Sequence, residues 1–158
     1  MSDDRYTVLD RMRFTKNTTS SRLAILAIVF DVLFFISIYK SDVDTYYYTI
    51  IIGASIIYNL VFLLAAFLCS EGVKSYNTGY SWILIALGVI QIVRIFIIPM
   101  NAHQTMIGDS PVMGNAQFIR TIIYLVASAV CLFASAVINW NKSRALKAHI
   151  ASLEANKA

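Results

Sequence analysis

Leu23-Ala24-Ile25-Leu26-Ala27-Ile28-Val29-Phe30-Asp31-Val32-Leu33-Phe34-Phe35-Ile36-Ser37-Ile38-Tyr39 is a run of seventeen residues broken by one charge. Crossing about 30 Å of hydrocarbon takes roughly 20 helical residues, so this run is of spanning length. Three further stretches read the same way. Thr45–Ser70 has no charge, Tyr80–Ile98 is uncharged except for Arg94 and meets Pro99, and Thr121–Asn141 is again uncharged. Their Ile, Val and Phe would suit strands in water. In a bilayer only a helix satisfies every backbone group within one segment. The expectation is an all-α membrane protein, a bundle of four transmembrane helices forming one domain over residues 1–158, with spans at about 23–39, 47–69, 80–98 and 118–140.

Composition agrees. Among 158 residues, 58% are hydrophobic and 14% charged, against about a quarter charged in an ordinary soluble domain. So short a chain cannot bury that much apolar surface in a core of its own, and the lipid bilayer is the first expected partner. The net charge of +4 does not point to nucleic acid, because the basic residues are sorted to the ends of the spans. Arg5, Arg11, Arg13, Lys16 and Arg22 precede the first; Lys142, Arg144, Lys147 and Lys157 follow the last. With Lys74 they make ten on one side of the membrane, against Lys40 and Arg120 on the other. The positive-inside rule then predicts both termini in the cytoplasm. Tyr39 and Tyr46–Tyr48 would lie at the outer interface, Tyr80, Trp82 and Trp140 at the inner one.

The termini carry weaker patterns. Asp3–Arg13 reads as a short amphipathic segment with Val8 and Met12 on one face. Leu146, Ile150 and Leu153 recur at i, i+4 and i+7, predicting a helical extension of the fourth span with an apolar stripe. Asn17-Thr18-Thr19 is a glycosylation sequon, irrelevant if cytoplasmic. No cleavable signal peptide is expected, since about twenty polar residues lead the first apolar run. Cys69 and Cys131 show no redox or metal spacing. A faint echo links Val29–Val32 with Val89–Ile92 and Ile56–Tyr58 with Ile122–Tyr124, as two duplicated hairpins or the chance likeness of apolar helices would give.

Asp31 demands an account. It lies nine residues from both Arg22 and Lys40, about 13 Å of helix either way and so near the midplane. A carboxylate there costs at least about 3 kcal/mol unless it pairs, protonates or meets water. Arg94 sits roughly one turn further out on helix three, within reach of a long guanidinium. Gln91 shares the Arg94 face, and Asn59 lies at mid-depth in helix two with Ser55 one turn away. Asp31, Asn59, Gln91 and Arg94 are therefore expected to form one intramembrane polar cluster. It reads as a structural clasp, as a contact with another subunit, or as a proton or substrate relay. On helix four, Ala127, Cys131 and Ser135 repeat every four residues and predict a close-packing face.

The loop Asn101–Gln117 gathers His103, Met106 and Met113 beside Met100, soft donors of the kind that suit Cu(I); the pattern is too loose to assign a metal, and no cofactor is expected. Catalysis is not expected either. C-x-x-C, G-x-S-x-G and H-E-x-x-H are missing, and His103 and His149 fall on opposite sides of the membrane. In topology and in its first-helix acid, within Ala27-Ile28-Val29-Phe30-Asp31-Val32, the chain resembles the small multidrug resistance exporters. That resemblance implies a carboxylate exchanging protons for cationic drugs. The intramembrane arginine and the basic ends depart from that pattern, and no site is carried over. The functional expectation is a non-enzymatic accessory or scaffold subunit of a larger membrane complex, possibly a transporter, in contact with another membrane protein or with copies of itself. The alternative is a small proton-coupled exporter acting as an oligomer, with Asp31 as coupling acid. The plasma membrane, specifically a bacterial inner membrane, is the expected location.

Overall fold

In the computed structural model, residues 16–38 and 46–155 are described; of residues 46–49, 51, 52 and 107 the backbone alone is described. The Asp3–Arg13 segment, Tyr39, Lys40 and the side chains of Tyr46–Tyr48 lie outside the described residues.

Runs rich in Leu, Ile, Val and Phe give four long helices: α1 (Thr18–Ile38), α2 (Tyr46–Lys74), α3 (Gly79–Gln104) and α4 (Asn115–Ala155). All four are long and apolar enough to span a membrane. A short hairpin, β1 (Met106–Ile107) and β2 (Ser110–Pro111), joins α3 to α4 and turns at Gly108, whose φ of 61° suits a residue without a Cβ. Helix α1 packs on α2 and, most extensively, on α4; α3 packs on α4 and more lightly on α2. The helices thus form a ring in chain order, with α1 and α3 at opposite corners.

Polarity runs opposite to that of a bundle built for water. Outward faces carry Val29, Ile57, Leu64, Val93 and Val130, all exposed, whereas the interior holds Asp31, Asn59, Gln91, Arg94, Ser128 and Asn139, all buried. Such a surface is stable against hydrocarbon and would aggregate in water. The polar groups need partners inside, because lipid offers none.

The sequence predicts that the third span stops at Pro99. Instead the helix passes through it, relaxing into a π-turn over Phe96–Met100 before resuming at Asn101–Gln104. Proline has no N–H and its ring crowds the carbonyl four residues back, and one wider turn absorbs both defects. Proline ends helices where water can take over the freed groups; buried, this one does not. The fourth helix also differs from its predicted span. Its 41 residues make a rod of about 62 Å, continuous through the predicted extension, with Leu146 half-buried and Ile150 and Leu153 exposed along it.

Candidate functional site

Two apolar clusters fill the bundle. One gathers Ala24, Ala27, Phe62, Ala66, Leu84, Leu87 and Leu132; the other gathers Phe34, Ile38, Ala102, Met113 and Leu125. Between them lies a polar layer to which every helix contributes. Arg94 on α3 is its hub. Nη1 donates to Asp31 Oδ1 on α1 at 2.8 Å, while Nη2 donates to Ser55 Oγ at 2.9 Å and to Asn59 Oδ1 at 2.6 Å on α2. The guanidinium carbon lies over the Phe34 ring at 4.4 Å and over the Tyr58 ring at 4.5 Å, a cation–π contact with each. Side-chain exposure is 5% for Arg94 and 1% for Asp31, so this ion pair is almost fully withdrawn from its surroundings.

Gln91, one turn before Arg94, reaches the same acid. Its Nε2 donates to Asp31 Oδ1 at 2.8 Å and to Ser128 Oγ on α4 at 3.4 Å; Ser128 Oγ in turn donates to the Ala27 carbonyl at 3.0 Å. Donor and acceptor roles fix the amide orientations. A guanidinium only donates, so Asn59 must turn its oxygen toward Arg94 and its Nδ2 away. Asp31 Oδ2, Asn59 Nδ2, Gln91 Oε1 and Tyr58 Oη are buried without a hydrogen-bond partner among the described residues.

Asp31, Asn59, Gln91 and Arg94 thus come together in one layer. Ser55 joins them, as does Ser128, which the sequence left unread because a serine in an apolar helix looks like a packing residue. Tyr58 and Phe34 were equally silent. An aromatic among aliphatics gives no sign that it flanks a cation.

The predicted packing face of α4 is only partly the buried one. Ser135 is fully buried and Cys131 nearly so, but Ala127 is half-buried. The deepest line is Thr121, Leu125, Ser128, Leu132, Ser135 and Asn139. Steps of four residues advance 400° and drift 40° per step, whereas alternating steps of four and three hold one face.

A second polar layer closes one end of the bundle. Asn17, which the sequon reading set aside, is fully buried. Its Oδ1 caps α1 by accepting from the Ser20 amide at 3.5 Å, its own amide donates to the Lys74 carbonyl at 3.1 Å, and Nδ2 donates to Asn139 Oδ1 at 3.0 Å. Asn139 Nδ2 donates to the Asn77 carbonyl at 3.0 Å and to Ser81 Oγ at 2.8 Å. Just above, Ser20 Oγ donates to the Ser135 carbonyl at 2.6 Å and Ser135 Oγ returns a bond to the Ser20 carbonyl at 2.7 Å. Such close backbone approach is what small residues allow between membrane helices.

The α3–α4 connection brings His103 against Met113. His103 Nδ1 lies 2.9 Å from the Met113 carbonyl, and its ring stacks on Phe118 with centroids 4.4 Å apart. Met113 is buried with its sulfur 3.7 Å from Thr121 Oγ1, whereas Met106 is 64% exposed.

No family model matches the chain, and no curated protein or solved structure is similar to it. The functional reading therefore stands on this geometry alone.

Proposed function

We propose that this chain is a non-enzymatic accessory or scaffold subunit of a larger membrane assembly, a transporter among the candidates, with both termini in the cytoplasm. The observation that carries this reading is the Asp31–Arg94 pair. The intramembrane acid and base are bound to each other at 2.8 Å inside the bundle, held by helices at opposite corners of the ring. A clasp of that kind fixes how four helices pack. What the molecule then presents to its surroundings is apolar helix surface, suited to lipid, to another membrane protein or to a second copy of itself. The orientation is supported by the ten-to-two distribution of basic residues. The compact build supports placing the chain in a plasma membrane, the bacterial inner membrane. Purification from native membranes in mild detergent tests the reading. A stoichiometric larger membrane protein, or a defined oligomer of the chain, is the expected result, and a monodisperse single copy from intact membranes refutes it.

One observation favours the alternative, an oligomeric proton-coupled exporter: Asp31 Oδ2 is buried with no partner among the described residues. Liposomes containing the purified chain alone, with an imposed pH gradient, separate the two. Uptake of a cationic dye that is lost in Asp31→Asn supports the exporter and sinks the accessory reading.

A further inference from the structure

Trp82 near the start of α3 and Trp140 on α4 are the chain's two tryptophans, and the fold brings them together. Their ring centroids lie 5.3 Å apart, with the planes tilted by 56°. The guanidinium carbon of Arg144, one turn further along α4, lies 5.1 Å from the centre of the Trp140 ring. Helical side chains lean toward the N-terminus of their helix, so Arg144 reaches back from its own Cα to that ring. Trp82 is 61% exposed, and Arg144 is exposed as well. The ion pairs among the described residues are Lys74–Glu71 and Arg94–Asp31, so no described carboxylate answers the charge of Arg144.

Depth decides what can answer it. Trp140 lies twelve residues beyond Ser128 of the polar layer, about 18 Å of helix, and the Arg144 backbone lies about 24 Å beyond it. Trp82 lies nine residues before Gln91, about 14 Å away. With the Asp31–Arg94 layer at the midplane, the hydrocarbon ends about 15 Å out and the headgroups about 20–22 Å out. The two rings therefore stand at the edge of the hydrocarbon. The guanidinium, drawn back toward them, stands at the height of the lipid phosphates.

We infer that Trp82, Trp140 and Arg144 form a binding site for the headgroup phosphate of an anionic phospholipid at the edge of the α3–α4 seam. A guanidinium is a planar fork of N–H donors with no acceptor, a match for phosphate oxygens. Charge separates the lipid classes. The quaternary ammonium of a choline headgroup is attracted to an indole face, but Arg144 already lies over that of Trp140, and two cations repel there. A zwitterionic lipid thus brings a cation to an occupied place, whereas an anionic lipid brings its phosphate without one. Lys142, at a similar height, turns toward α1 instead, with Nζ 3.5 Å from Thr19 Oγ1. This inference concerns the lipid-facing surface alone and holds under either functional reading and either orientation of the chain.

Because both tryptophans belong to the site, their fluorescence reports on it alone. The test uses the purified full chain in nanodiscs of phosphatidylcholine with phosphatidylglycerol as the minor lipid. A shallow dibromo label, which quenches indole fluorescence on contact, is carried by one lipid or the other at equal mole fraction. Quenching should give labelled phosphatidylglycerol a relative association constant about fivefold above that of labelled phosphatidylcholine, the scale of one interfacial cation facing anionic lipid. Arg144→Gln should bring that ratio to about one. Lys142→Gln, the same change of charge at a similar height, should leave it in place. Equal quenching by the two lipids in the unsubstituted chain overturns the inference. So does a ratio that survives Arg144→Gln, or one that falls equally in both variants, which would mark the general attraction of a basic helix end.

Discussion

Asp31→Asn and Arg94→Gln, made singly and together, probe the clasp most directly. Asp31→Asn leaves a guanidinium that cannot shed its proton, still held by Ser55 and Asn59 and by the Phe34 and Tyr58 rings. Arg94→Gln leaves a carboxylate whose remaining donor is Gln91. Removing one partner of a buried ion pair costs about 3–5 kcal/mol, because the other charge stays behind. Each single variant should therefore lose stability on that scale. The double variant carries no buried charge at the site and should lose clearly less than the sum of the two. An ordinary interhelical hydrogen bond in a membrane protein couples by only about 0.6 kcal/mol on average and about 1.7 kcal/mol at most. A coupling energy of about 2 kcal/mol or more marks an ion pair that holds the bundle together. Reversible unfolding in mixed micelles, followed by circular dichroism over a detergent titration, measures all four corners of the cycle. Coupling at or below about 0.6 kcal/mol would mean that the two groups touch without stabilising the fold.

Three other outcomes are expected. In Gly72→Ala the new methyl overlaps the Tyr80 ring, so unfolding should show a loss of about 1–3 kcal/mol from overpacking, recovered in part by adding Tyr80→Ser; no recovery would mean the cost arises elsewhere. Asn139→Leu strands the Asn17 amide, the Asn77 carbonyl and Ser81, with a loss of about 1–3 kcal/mol for buried groups left unmet, while Val137→Leu on the exposed face of the same helix should change stability by less than about 0.5 kcal/mol in the same assay. An impermeant maleimide on intact cells should label Asp109→Cys at the hairpin tip and spare Ser75→Cys in the α2–α3 turn; the opposite pattern inverts the proposed orientation.

Asp31 and Arg94 are conspicuous in the sequence because a charge inside an uninterrupted apolar run has so few permitted explanations, and counting helical rise places Arg94 only about one turn outward of Asp31, within reach of its guanidinium. Four long helices are legible for the same reason, since composition and length leave little else. The rest depends on properties that sequence carries faintly. Serine is small and polar at once, so Ser128 and Ser135 read as spacing when they are also donors to neighbouring carbonyls. Asn17 sits in a motif with a louder meaning, and its capping role emerges only when Asn139 arrives from 122 residues away. Pro99 reads as a stop by rules drawn from helix ends that water can solvate. The buried line of α4 follows a seven-residue rhythm that a four-residue stripe of small side chains approximates for only about two turns.

The serine-stitched contact between α1 and α4 has a consequence for how the molecule is made. It is the most extensive helix pairing in the bundle, and it joins the first long helix of the chain to the last. A chain emerging from the ribosome inserts α1 long before α4 exists, so α1 must wait in lipid with Ser20, Asn17 and the Ala27 carbonyl lacking their eventual partners. Only when the fourth helix enters does the ring shut, and contacts so distant in sequence are slow to form. A bundle without α4 thus lacks this seam. Arrival of the fourth helix and closure of the ring become one event, which leaves the α1 face open until then.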